Sequence, residues 1–259
     1  MLFTHDISAI LFQVGPLEVR WYGVLFATGL GLNYWLLTWI FKREKYDQKL
    51  LDSLVIWLFF GLVIGARLGH IVFYEIDYYL ANPLQILQIW RGGLASHGAA
   101  IGLAIAYFGW CRRHKVNFSK YINAIVVPMP LTAGFVRLGN FFNSEIVGYP
   151  TGGDYGVIFA RLGEDFARHP VQLYSMLMNW LVFAILFWVY KKKYKKMPPL
   201  SIMFLYLLLQ FVGRFIVEFW KELHGPLPVG FPLAMGQLLS TIPIAIALIY
   251  FARLLWKKR

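Results

Sequence analysis

Residues Ser53–Tyr74 read SLVIWLFFGLVIGARLGHIVFY. These 22 residues hold one arginine, one histidine and no acid. A helix that crosses a bilayer needs about 20 mainly apolar residues, so this stretch reads as a membrane span. Six more stretches qualify, at 19–41, 94–111, 121–139, 173–190, 200–220 and 234–256. Pro128 and Pro130 interrupt the 121–139 stretch and 173–190 is short, which a helical bundle tolerates where neighbours re-satisfy the backbone. Composition agrees. The chain is 59% hydrophobic and only 15% charged, against about 45–50% and about 25% in soluble domains. The expectation is an all-α polytopic membrane protein with seven transmembrane helices, and 1–259 forms a single integral membrane domain.

The net charge of +12 from 25 basic and 13 acidic residues has two sources to choose between. A nucleic-acid partner is excluded, because such a binder would not be so apolar. Orientation explains the surplus, since short cytoplasmic loops carry the excess of Lys and Arg. Lys42, Arg43, Lys45 and Lys49 follow span one, and Arg112, Arg113, Lys115 and Lys120 follow span three. Lys191, Lys192, Lys193, Lys195 and Lys196 follow span five, while Arg253, Lys257, Lys258 and Arg259 close the chain. Seventeen of the 25 therefore fall at every second loop. Seven spans with a periplasmic N-terminus and a cytoplasmic C-terminus fit, and an even number breaks the alternation. Met1–Leu11 lacks a basic n-region, so no cleavable signal peptide is expected, and 15–25 leads into span one. The external segment 140–172 is dense in turn signals, among them Gly148-Tyr149-Pro150 and Gly152-Gly153-Asp154. An unstructured connection of that length is uncommon, so a small periplasmic cap between spans four and five is expected.

Ionisable groups inside a span are costly and mark a functional or paired site. Tyr22, Arg67, His70, His97, Arg137, Asn140, Arg214 and Glu218 all fall in the outer parts of their spans, whereas the inner halves are almost free of charge. At about 1.5 Å per residue these side chains share one depth, which implies a polar cavity in the outer leaflet. Three arginines there, Arg67, Arg137 and Arg214, imply an anion, because the guanidinium fork matches phosphate or carboxylate and stays charged when desolvated. A phospholipid headgroup is the anion at that depth. Structural alternatives exist for each: Arg214 and Glu218 are spaced to pair at i and i+4, Arg137 has Glu145 within reach, and Arg67 has only Glu75, two turns away. His97 and His70 are the groups of this layer that titrate near neutrality. No Gly-x-Ser-x-Gly element is present, which argues against a serine hydrolase. The single cysteine, Cys111, lies about 20 Å along the helix from His97 and makes a poor nucleophile. One cysteine and six scattered histidines exclude a Cys-based zinc cluster, so neither metal nor cofactor is expected.

Arg137-Leu138-Gly139-Asn140-Phe141-Phe142-Asn143-Ser144-Glu145-Ile146-Val147-Gly148 resembles the signature of the prolipoprotein diacylglyceryl transferase family, R-x-G-N-F-x-N-x-E-x-x-G. Further matches are Arg20-Trp21-Tyr22-Gly23, Gly65-Ala66-Arg67-Leu68-Gly69, Gly92-Gly93-Leu94 through His97-Gly98, His169-Pro170 with Gln172-Leu173-Tyr174, Gly213-Arg214-Phe215 with Glu218-Phe219, and Met235-Gly236-Gln237 with Ser240. The chain departs from the family pattern at Ala99, where a second glycine is usual, and at Ser175, where Glu is common. The resemblance implies a bacterial inner-membrane enzyme with seven spans. Its partners would be phosphatidylglycerol and a prolipoprotein signal peptide carrying a lipobox cysteine, with membrane lipid around it. It would move the diacylglyceryl group to the cysteine thiol, form a thioether and release glycerol phosphate. It further implies that Arg137 and Arg214 clamp the phosphate, and that His97 either accepts the thiol proton or orients the headgroup. Asn140, Asn143 and Glu145 would shape the glycerol pocket, Gly148 would end that element in a close turn, and Tyr22 would bond the headgroup. Glu218 would orient Arg214 or substrate, and Arg67 would guide lipid or brace the bundle. The competing class is an outer-leaflet phospholipid or anion transporter, which usually shows internal repeats and a site near the midplane; neither is visible here.

Overall fold

The computed structural model describes residues 2–89, 92–222 and 233–257. Lys258 and Arg259, named above among the basic residues that close the chain, lie outside the described residues. In chain order the elements are β1 (Leu2–His5), β2 (Ile10–Val14), β3 (Leu17–Arg20), α1 (Trp21–Arg43), α2 (Gln48–Tyr74), α3 (Ile76–Ala81), α4 (Ser96–His114), α5 (Phe118–Val126), α6 (Met129–Phe142), β4 (Gly156–Phe159), β5 (Ala167–Arg168), α7 (Val171–Lys193), α8 (Ser201–Val217) and α9 (Met235–Trp256). Short 3-10 turns include Pro83–Leu87 and Glu218–Trp220.

Among the described residues, six segments are long and apolar enough to cross a membrane: Trp21–Arg43, Gln48–Tyr74, Phe118–Phe142, Val171–Lys196, Ser201–Trp220 and Met235–Trp256. The chain is a mainly helical, polytopic membrane protein. Large apolar side chains such as Trp35, Phe59, Leu181 and Ile242 are exposed along these helices, as suits a lipid solvent. The helix expected over 94–111 forms as α4, but it falls below the apolar level of the other six. Its polar ends, Ser96-His97 and Arg112-Arg113-His114, are the reason. The proline-interrupted span is two helices, α5 and α6, broken at Val127–Pro128.

The chain divides into two compact units, Met1–Leu36 with Ile122–Arg259, and Leu37–Tyr121. In the first, Thr132 Oγ1 donates to the Gly29 carbonyl at 2.9 Å and accepts from Asn33 at 3.1 Å, tying α6 to α1. Trp180 of α7 lies so close to Gly134 that a Cβ there would overlap the indole. Tyr250 of α9 stacks on Phe204 of α8 at 4.1 Å. The segment 140–172 holds β4, a 3-10 turn and β5, and its sheet is completed from elsewhere: β1 pairs parallel with β4, matching His5 to Phe159, and β5 pairs antiparallel on the other side. The N-terminus, read above only as a lead-in, also makes the β2–β3 hairpin. Gly15 turns it with φ 58°, the positive φ that a two-residue hairpin needs at its first position.

In the second unit α2 and α4 meet backbone to backbone. A Cβ on Gly65 would lie 2.5 Å from the Gly98 carbonyl oxygen and 2.7 Å from Gly102 Cα. Small residues at four-residue spacing let membrane helices approach this closely. Ser53 Oγ and His114 Nε2, 2.8 Å apart, join the other ends of the same two helices.

Candidate active site

In the first unit the site is built on the end of α6. Arg137 and Asn140, three residues apart, share a helix face, and Arg137 Nη1 donates to Asn140 Oδ1 at 3.3 Å. After Phe142 the backbone folds back through left-handed Ser144 (φ 54°) and Ile146 (φ 57°). The Glu145 N–H then caps the Asn140 carbonyl at 3.0 Å. This turn brings the Glu145 carboxylate to the C-terminal end of a helix, where the helix dipole disfavours a negative charge. Two amides compensate: Asn140 Nδ2 donates to Oε2 at 3.0 Å and Asn143 Nδ2 to Oε1 at 2.7 Å. Gln172, almost fully buried, holds the Glu145 carbonyl at 2.7 Å. Arg137 therefore reaches Glu145 through Asn140 rather than by a direct ion pair.

Tyr22 at the start of α1 packs on Gly139, where a Cβ would lie 2.7 Å from the ring and 3.2 Å from Tyr22 Cα. Tyr22 feels the charges of both Glu145 and Arg137. Arg137 in turn interacts electrostatically with Arg214 and Glu218 of the α8 end. The expected Arg214–Glu218 pair does not form. Helix α8 ends at Val217, and the Glu218 N–H still bonds to the Arg214 carbonyl, so the backbone keeps its i, i+4 register while the side chains part. Glu218 instead binds Lys221 at 2.9 Å, and its carboxylate lies over Gly236, where any Cβ would overlap it. Among the described residues, no carboxylate pairs directly with Arg137 or Arg214.

Gly148 needs its hydrogen side chain for close approach, since a Cβ would lie 2.5 Å from the His169 carbonyl oxygen and 2.6 Å from that of Trp220. The left-handed turns belong to Ser144 and Ile146, not to Gly148. Arg168 fixes this crossing. Its guanidinium binds Glu164 with two bonds at 2.6 and 2.7 Å, donates to the Gly148 carbonyl at 3.0 Å and pairs with Glu222 at 3.2 Å. The bond to Glu164 holds Arg168 above the usual arginine range. The sequence reading gave Arg168 and Gln172 no role, although the Glu164/Arg168 spacing of four is a visible pairing signal.

The second unit holds Arg67 and His97. Arg67 is 4% exposed and its donors go to main-chain carbonyls: Gln85 at 2.6 Å, Gly92 at 2.8 Å, Ile86 at 2.9 Å and Gly93 at 3.2 Å. Its guanidinium also lies 4.8 Å over the Tyr79 ring. This favours the bracing alternative over headgroup contact. His97 is exposed in the first turn of α4 and borders a cavity of about 420 Å³ with His70, Tyr74, Glu75, Leu94 and Ala95.

The family model for prolipoprotein diacylglyceryl transferase matches residues 9–253. A phosphatidylglycerol–prolipoprotein diacylglyceryl transferase of Tolumonas auensis is 42% identical over 248 residues, covering 95% of both chains. Those of Chloroherpeton thalassium and Porphyromonas gingivalis are 41% and 39% identical, covering 93% and 94% of this chain and 90% and 91% of their own. The chain belongs to the prolipoprotein diacylglyceryl transferase family. The match takes in every candidate residue, from Tyr22 to Glu218. The two departures from the transferase pattern have plain local readings. Ser175 contributes its main-chain carbonyl to Asn179 at 2.7 Å, which any residue could do. The contact of α4 with α2 falls to Gly98, beside the half-buried Ala99.

Proposed function

We propose that the chain transfers the diacylglyceryl group of phosphatidylglycerol to the lipobox cysteine thiol of prolipoproteins, forming a thioether and releasing glycerol phosphate. The observation that carries this reading is the pair Arg137 and Arg214, two guanidiniums that act on one another without a directly paired carboxylate among the described residues. Such a pair gains most from an anion between its members. A phosphodiester supplies that anion, and the charge grows on the leaving phosphate as its carbon–oxygen bond breaks. Donors placed where charge develops favour the transition state over the ground state. Asn140, Asn143 and Glu145 hold Arg137 and shape the glycerol pocket, Gly148 keeps the adjoining crossing tight, Tyr22 reaches the headgroup and Glu218 orients the α8 end. Arg67 braces the segment ahead of α4, and His97 accepts the thiol proton or orients the headgroup.

Seven crossings, with α4 as the third, a periplasmic N-terminus, a cytoplasmic C-terminus and the β1–β4–β5 sheet as a periplasmic cap, complete the reading. No observation favours the transporter alternative. The test is purified protein with phosphatidylglycerol and a lipobox peptide. Thioether and glycerol phosphate should appear in equal amounts, and their absence would defeat the proposal.

A further inference from the structure

The cavity between the end of α2 and the start of α4 holds two imidazoles. His70 lies one turn before α2 ends, and Glu75 Oε2 approaches its Nε2 to 3.5 Å. The Tyr74 ring stands beside both imidazoles, with centroids 5.6 Å from His70 and 5.7 Å from His97. His97 has Phe73 edge-on at 4.9 Å, and among the described residues no carboxylate orients it. His70 is thus the imidazole with an acid beside it, at ion-pair distance. A carboxylate near one ring nitrogen stabilises the imidazolium formed when the other takes a proton. The charged and titratable groups around His70 are Glu75 and Tyr74, Tyr79 of α3 at 6.4 Å between rings, Arg67 one turn earlier, and His97 across the cavity. Arg67 and His70 both border Gly93, where a Cβ would meet each at 2.7 Å. The Arg67 charge is held by carbonyls, which leaves Glu75 as the acid beside His70. Among the described residues no three His, Cys, Asp or Glu side chains group as metal ligands.

We propose that His70, with Glu75 beside it, is a second general base for the substrate thiol, so that either imidazole of this cavity can take the proton. This rests on the transfer reading above. In the step, a neutral imidazole takes the thiol proton and the sulfur attacks the glyceryl carbon that carries the phosphate ester. The carbon–sulfur bond forms, the carbon–oxygen bond breaks with its electron pair leaving on glycerol phosphate, and the imidazolium then gives its proton to water.

The experiment measures initial rates for the full chain in phosphatidylglycerol-containing nanodiscs with a lipobox peptide, from pH 5.5 to 9. His70→Gln and His97→Gln should each lower the rate by less than about ten-fold. The double variant should lose about 100-fold or more at pH 7, within the usual range for general-base catalysis. Its rate should then climb about ten-fold per pH unit toward the thiol's own pKa of about 8.5, with KM for phosphatidylglycerol unchanged. Glu75→Gln leaves both imidazoles in place and alters an exposed side chain; it should weaken the rate on the His97→Gln background and little on its own. A double variant that keeps the wild-type pH profile, or His97→Gln alone as inactive as the double variant, overturns the second base. Wild-type protein that forms no thioether overturns the transfer reading, and this one with it.

Discussion

At the residue scale, the chemistry rests on forks and amides more than on charge alone. Arg137 spends one nitrogen on Asn140, and a lysine there would keep the charge but lose the second prong. Arg137→Lys should therefore lower kcat/KM by about 100-fold or more, the usual loss when a transition-state donor goes, with thermal unfolding little changed. Wild-type kcat/KM in that variant, read by thioether formation, would remove the two-pronged clamp. Arg137, Asn140, Asn143 and Glu145 were legible in the sequence because one helix end and one turn bring them together. Two relations were not. The Arg214–Glu218 pair fails because Lys221, three residues on, takes the Glu218 carboxylate at 2.9 Å. Arg67 looks like an anion ligand by depth, yet its acceptors are carbonyls 18 to 26 residues away, and spacing says nothing about such partners.

At the element scale, the helices were legible from length and apolar content, and the β1–β4–β5 sheet was not. Its strands are four, four and two residues long and come from opposite sides of helices α1–α6. A local pattern cannot announce a parallel pairing of Leu2–His5 with Gly156–Phe159. The pairing places His5 fully buried among Phe141, Phe142 and Phe159, with ring centroids at 4.4, 6.3 and 5.8 Å. Burial pushes the His5 imidazole below the usual histidine value, and the nearby carbonyls of Phe141 and Phe142 offset only part of that. The sign of the linkage follows. The unfolded chain binds a proton near pH 6.5, while the folded sheet resists it until lower pH. Stability from this site is thus complete above about pH 6.5 and falls as pH drops from there through the folded value. His5→Leu should flatten the fall in melting temperature between pH 6.5 and 5. An unchanged slope in the variant would show that another group sets the acid sensitivity.

At the scale of the whole molecule, the open number is the count of crossings, and α4 decides it. At 19 residues it spans roughly 28 Å, close to the hydrocarbon thickness of about 30 Å. It is less apolar than the other spans because Ser96-His97 and Arg112-Arg113-His114 occupy its two ends, while Gly98 and Gly102 seat its apolar middle on α2. Weak apolarity here belongs to the helix ends, where a crossing helix meets headgroups and water. The charge pattern distinguishes the two counts. With α4 crossing, Lys191–Lys196 joins the other basic loops on the cytoplasmic face, as short basic loops do. Without it, every loop after α4 changes sides, and this lysine cluster faces outward with the β4–β5 segment inside. Cys111 is the single cysteine and is buried, so engineered thiols can be read against a low background. In intact spheroplasts, Asp154→Cys should react with an impermeant maleimide, and Lys193→Cys should react only after the membrane is opened. The reverse pattern would overturn this arrangement, leaving either six crossings with α4 on one face or seven in the opposite orientation.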